Sequence, residues 1–144
     1  MATPLDRSLT YRLHLLHKVS DYDSHQSYLS TLGLALSEAR CLTAIGSFQP
    51  MSVMALADKG NLNKGQASRA AQVLVDKGWV VKKEHPTDGR GVELCLTPAG
   101  QKLWKKAMDL VEKRNQEIFG CLSPKELATL SDLLDRLVAH NVPT

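Results

Sequence analysis

Cysteine is sparse in this chain: Cys41, Cys95 and Cys121 are odd in number, far apart and free of CxxC spacing. That argues against a disulfide framework and a structural metal, and for a reducing compartment. No apolar run approaches the ~18–20 residues a membrane span needs. Met1 to Arg7 carries no basic-then-apolar leader, so a cytoplasmic location is expected. Low-complexity tracts and internal repeats are absent. So are the marks of catalysis: a Gly-rich phosphate loop, GxSxG, HExxH, or a carboxylate pair on one helical face. The sequence predicts a protein that is not an enzyme and holds no cofactor. No metal is expected either, because His14, His17 and His25 lack convergent carboxylates or thiolates.

What is present is globular. A composition 43% hydrophobic and 23% charged excludes a disordered or collagen-like chain. The 144 residues fit one domain, long enough to bury roughly 68–70% of the surface its unfolded form exposes. The net charge of +3 is unevenly spread. Residues 1–50 balance four basic residues against four acids. Residues 59–90 set seven (Lys59, Lys64, Arg69, Lys77, Lys82, Lys83, Arg90) against three (Asp76, Glu84, Asp88), a local excess of +4. Such a stripe is either the footprint of a phosphate-facing surface or an ordinary solvated face.

Apolar spacing of three and four residues predicts a long first helix from about Leu5 to Leu32, through Leu9, Leu13, Leu16 and Val19. A second helix, capped by Ser37, runs to Phe48 and ends at Gln49-Pro50. Ser52 caps a short third helix that stops at Gly60-Asn61, two residues suited to the left-handed conformation. Asn63, with Gln66 three residues on, opens a fourth helix striped by Ala67, Ala70, Ala71 and Leu74. Two short helices joined by a tight turn outline a helix-turn-helix. The period then changes. Trp79 to Glu84 and Val92 to Leu96 read as strands flanking a turn-rich loop that contains Asp88-Gly89. Thr97-Pro98 and Ser123-Pro124 start two further helices. The fold class expected is mainly α with a small β-hairpin wing, a winged helix-turn-helix. Residues 36–97 form its DNA-binding core, and dimerisation helices lie at 5–32 and 98–142. Trp104 and Phe119 fit either core or interface. Cys41 and Cys95 are expected to be inert core thiols.

From about Leu36 to the C-terminus the sequence resembles the MarR family of bacterial transcriptional regulators, which are dimeric winged-helix proteins. The resemblance rests on ordered motifs: LSEARCLTAI in the second helix, MALADKGNLNKGQASRAAQVLVDKGWV in the reading unit, DGR in the hairpin loop and LTPAG at the next helix. Two departures stand out. Gly89 follows the loop aspartate where many members carry another basic residue, and Gly65 stands where a serine or other cap-friendly residue is common.

On the fourth helix, turning residues 67, 70, 71 and 74 inward leaves Lys64, Gly65, Gln66, Ser68 and Arg69 exposed near its start. Arg69 fits a bidentate contact to guanine or a grip on phosphate; Gln66 fits adenine or serves only as a cap. Ser52 and Ser68 hydroxyls suit phosphates. Lys82, Lys83 and His85 add non-specific attraction. The resemblance implies that Arg90 enters the adjacent minor groove, with Asp88 orienting it as wing support. It also implies a homodimer on a pseudo-palindromic operator in double-stranded DNA. A small-molecule effector would then bind where dimer-forming helices meet the winged core. Tyr11, His14, His17 and Arg40 are the candidates for that effector, and Arg40 suits the carboxylate of an aromatic acid. The same residues also fit a dimer interface and a surface ion pair. The family's peroxide sensors use a cysteine near the start of the first helix, and none lies there. The simplest expectation is a ligand-released repressor. The alternatives are a winged-helix module that binds protein, and a redox- or metal-responsive regulator of the same fold.

Overall fold

The computed structural model describes residues 2–84 and 91–143. Among them a 3-10 turn at Leu5–Arg7 precedes α1 (Leu9–Leu32), α2 (Leu36–Phe48), α3 (Val53–Lys59) and α4 (Lys64–Asp76). The hairpin strands β1 (Val80–Glu84) and β2 (Val92–Leu96) follow, then α5 (Pro98–Phe119) and α6 (Pro124–Asn141). This is the mainly α, hairpin-bearing order read from the sequence.

Local chemistry sets most of the boundaries. Asn63 Oδ1 accepts the Gln66 N–H at 2.8 Å while Gln66 Oε1 accepts the Asn63 N–H at 3.2 Å, a complete capping box at α4. Ser123 and Glu126 form the same box at α6, and these bonds from Ser123 hold the Glu126 carboxyl below the usual carboxylate range. Ser52 Oγ caps α3 through the Ala55 N–H.

Two boundaries differ from expectation. The first helix starts at Leu9, because Ser8 is extended and its Oγ accepts the Tyr11 N–H, which separates the 3-10 turn from α1. Ser37 does not cap α2; it lies inside the first turn. The N-cap is Ala35, which has no side-chain acceptor, so Glu38 reaches back to the Ala35 N–H at 3.1 Å. His25 Nδ1 accepts the Leu36 N–H at 3.2 Å. The third helix does stop at Gly60-Asn61 as read, with Gly60 right-handed and Asn61 left-handed at φ 53°.

The chain forms two compact units, Met1–Val111 and Glu112–Thr144. In the first, Leu34, Leu42 and Ile45 are fully buried with Leu56 of α3, Leu74 of α4 and Leu94 of β2. Burying each such side chain contributes ~1.5–3 kcal/mol. Ala107 and Leu110 of α5 join this core, which therefore extends beyond residue 97. Ala67, Ala70 and Ala71 make the inner face of α4, and their small side chains bring it close to α2 and α3. In the hairpin Val80 pairs with Leu96 and Lys82 with Leu94. Met51 adds a third edge by bonding Leu94 in both directions.

Burial pushes the Cys41 thiol up to about 12, with Glu38 adding to the effect, as expected of an inert core cysteine. Cys95 is only half-buried, because β2 is covered incompletely. Trp104 belongs to the first unit: its indole lies against Gly46 and its Nε1 donates to the Thr43 carbonyl at 3.2 Å. Phe119 is half-buried in the second unit. Along α1, Leu9 is 73% and Leu13 59% exposed; along α6, Leu137 is 53% exposed.

Thr97 caps α5 by accepting the Gly100 N–H, while its hydroxyl donates to the Gly78 carbonyl at 2.7 Å. This draws the α5 start onto the end of the α4–β1 turn. A Cβ on Gly100 would meet the Trp79 carbonyl oxygen at 1.9 Å. Gly100→Ala is therefore expected to destabilise the fold by at least ~1–3 kcal/mol, since backbone cannot rotate aside as a side chain does. Urea unfolding should show a lower midpoint at an unchanged slope, and a midpoint equal to that of the parent would refute the packing account.

Candidate nucleic-acid interface

The alternation of α4 separates its two jobs. Ala67, Ala70, Ala71 and Leu74 are buried, and Lys64, Gly65, Gln66, Ser68 and Arg69 are all exposed. The five residues singled out in the sequence thus share the solvent side of one helix N-terminal half. That end also directs backbone N–H groups outward, which favours anions.

Their availability differs. Gln66 Oε1 is engaged in the capping box, leaving the amide Nε2 to donate outward. Arg69 lies back over the first turn of α4, with its Nη1 3.1 Å from where a Cβ on Gly65 would stand. Ser52 uses its oxygen to cap α3, and its hydroxyl hydrogen remains a donor. Lys64 and Ser68 are exposed, with room to meet phosphate.

The strand lysines are more constrained than the sequence indicates. Residues directly opposite in an antiparallel pair share a face, so Lys82 lies on the side of buried Leu94 and turns toward α4. Its Nζ donates to Gln72 Oε1 at 2.8 Å, and Gln72 Nε2 donates to Asp76 Oδ1 at 2.7 Å. This chain ties the wing to α4, and Gln72 is a residue that sequence reasoning missed. Lys83 stands opposite Glu93. Lys77 lies 5.6 Å from the Trp79 ring centre. His85, Asp88 and Arg90 lie outside the described residues.

The effector candidates are only partly brought together. Tyr11 and His14 are exposed on α1. His17 Nε2 is 3.0 Å from Asp21 Oδ2, and Arg40 donates to the other oxygen of that carboxylate at 2.7 Å. Asp21 thus joins α1 to α2. It was missed, although its i, i+4 spacing from His17 was available in the sequence. Arg40 also lines a cavity of about 250 Å³ in the first unit. Residues 40, 43, 44, 47 and 48 share one face of α2 there, facing Lys59 of α3 and Met108 of α5. Lys59 Nζ sits 5.0 Å from the Phe48 ring centre. Among the described residues, no three His, Cys, Asp or Glu side chains gather where they could hold a metal ion, and no helix is long and apolar enough to cross a membrane.

Residues 32–91 match the model of the MarR family. The Escherichia coli multiple antibiotic resistance protein MarR is 28% identical over 127 residues, 88% of either chain. A HTH-type transcriptional regulator of Clostridium symbiosum, BilQ, is 28% identical over 78% of either chain. Among solved structures, wild-type apo MarR of E. coli superposes at a TM-score of 0.75 with 27% identity, covering 96% of this chain and 99% of that one. A MarR/EmrR family regulator from Acinetobacter sp. ADP1 superposes at 0.85 with 25% identity, covering 96% and 97%. Each superposition covers nearly the whole chain. This chain belongs to the MarR family of winged helix-turn-helix transcriptional regulators, proteins that act by binding DNA and not by catalysis.

Proposed function

We propose that the protein is a homodimeric, sequence-specific repressor, working in the cytoplasm and released from DNA by a small anionic ligand. The observation that carries the DNA reading is the exposed row Lys64, Gln66 and Arg69 on the outer face of a helix whose inner face is locked by alanines. Such a helix fits the major groove, with its N-terminal amides toward phosphate. Arg69 is assigned to a base edge or its flanking phosphate, and Lys64, Ser52 and Ser68 to the backbone. Lys83 contributes general attraction, and Lys82 acts through its hold on α4. Arg90, by resemblance to the family, enters the minor groove with Asp88 supporting it.

A single unit reads too few bases for selective binding, so two are needed, roughly 34 Å apart for successive major-groove faces. Support for a second copy comes from the apolar faces of α1 and α6. Leu9, Leu13 and Leu16 in one unit, and Leu133, Leu137 and Val138 in the other, are exposed in the single chain. Monomeric proteins rarely leave contiguous apolar patches of this kind uncovered.

The ligand reading is supported by Arg40, which lines a cavity together with Lys59 and Phe48. A carboxylate there would compete with Asp21 for the guanidinium, and a small ring would lie on Ala44 and Met108. Tyr11, His14 and His17 remain candidates for reaching the same ligand from α1. The burial of Cys41 favours ligand control over oxidation of that thiol.

Arg69→Ala is expected to weaken operator binding by ~1–3 kcal/mol if the contact is to a base, with relaxed preference at one position. If the contact is to phosphate, the loss is uniform across sequences and the log–log salt slope falls by about 0.9. Fluorescence anisotropy over a salt series separates the two, and binding equal to that of the parent excludes Arg69 from the interface. Leu13→Asp combined with Leu137→Asp should shift sedimentation from dimer to monomer and steepen the protein concentration needed for DNA binding; a persistent dimer counts against those faces. With benzoate as the probe, the parent should release DNA as the ligand rises and Arg40→Ala should not. Equal release by both proteins removes Arg40 from the site.

A further inference from the structure

We infer that Gly65 is a positioning residue for DNA specificity: its missing side chain seats the Arg69 guanidinium against the first turn of α4. This rests on α4 being the DNA-reading helix.

The argument starts from a residue that is out of place. Glycine inside a helix loses more conformational entropy on folding than any other residue, and alanine is the better helix former. Gly65 is the second residue of α4, with no left-handed backbone angle to require it. It is also exposed, so no core packing demands a small side chain. The atoms that a Cβ there would meet are Arg69 Nη1 at 3.1 Å, Arg69 Cζ at 3.7 Å and Asn63 Oδ1 at 3.5 Å. The consequence of glycine at this position is therefore the close approach of the Arg69 guanidinium.

That approach fixes a direction. Arg69 lies four residues after Gly65, the spacing at which helical side chains stack one above the other, and long side chains lean toward the helix N-terminus. With bare backbone below it, the guanidinium settles low across the first turn. A side chain at position 65 pushes the guanidinium outward by a few tenths of an ångström at the least. The far end of an arginine yields easily, so the fold tolerates the change. The reading geometry does not, because a bidentate contact to a base edge depends on both nitrogens meeting two acceptors in a fixed fork.

The test compares four full-length proteins: the parent, Gly65→Ala, Arg69→Ala and the double variant. Each is used to select binding sites from a duplex library with a randomised core, and affinities are measured for the parent's selected site. Thermal unfolding checks the fold, and Gly65→Ala should melt at or above the parent temperature. Gly65→Ala is expected to lose roughly tenfold in affinity, within the range a bidentate base contact carries, and to alter the preference at one base step in each half-site. In the Arg69→Ala background the same substitution should change neither. An unchanged selected sequence and affinity for Gly65→Ala, with Arg69→Ala impaired, would overturn this inference alone. Equal losses with and without Arg69 would overturn it too, since a Cβ would then be striking the DNA directly. Parent-like selection by Arg69→Ala would remove both this inference and the assignment of Arg69.

Discussion

The two-faced character of α4 is the constraint on which the rest of the molecule depends. Ala67, Ala70 and Ala71 give the helix a thin inner side that α2 and α3 approach closely, and Leu74 anchors its far end in the core. Because those positions are buried, the alternate ones must face out, and these carry Lys64, Gln66, Ser68 and Arg69. The exposed polar surface and the core packing are thus two consequences of one pattern. Helix phase cannot drift without moving alanines into water and cations into the core, and burying an unpaired charge is far more costly than losing a methyl contact. Orientation of the exposed residues is set by packing on the opposite side of the helix.

Around this helix, positive charge is distributed less simply than a count of lysines implies. Lys82 is held by Gln72, and Lys83 faces Glu93 across the hairpin. Lys77 and Lys59 rest on aromatic rings. Among the described residues, Lys64 and Arg69 near the start of α4 are exposed. The Lys82–Gln72 bond also braces β1 against α4. In the same way the Asp21 carboxylate, shared between His17 and Arg40, makes the joint between α1 and α2 an electrostatic clasp, beside a cavity that the winged unit itself supplies.

Much of the fold was legible in the sequence because its signals are local. Caps at Ser52, Asn63 and Ser123 act through bonds to residues three positions on, and proline after Thr97 or Ser123 acts on its own backbone. The buried stripe of α4 and the strands at 80–84 and 92–96 follow from period alone. Where reading from sequence erred, a distant or competing partner was responsible. Ala35 caps α2 in place of Ser37 because Glu38 and His25, the latter from α1, satisfy its first amides.

The sequence by itself determined the order of elements, the inner and outer faces of α4, and the family. Each of these depends on residues within one or two helical turns of one another. Tertiary structure alone decided which polar groups are free and which are spent: the Asp21–Arg40 pair across 19 positions, Lys82 on Gln72 across ten, Trp104 over Gly46, and Met51 on Leu94. Those contacts exist only once the helices have packed, because the side chains reach each other through the core's geometry and not along the chain.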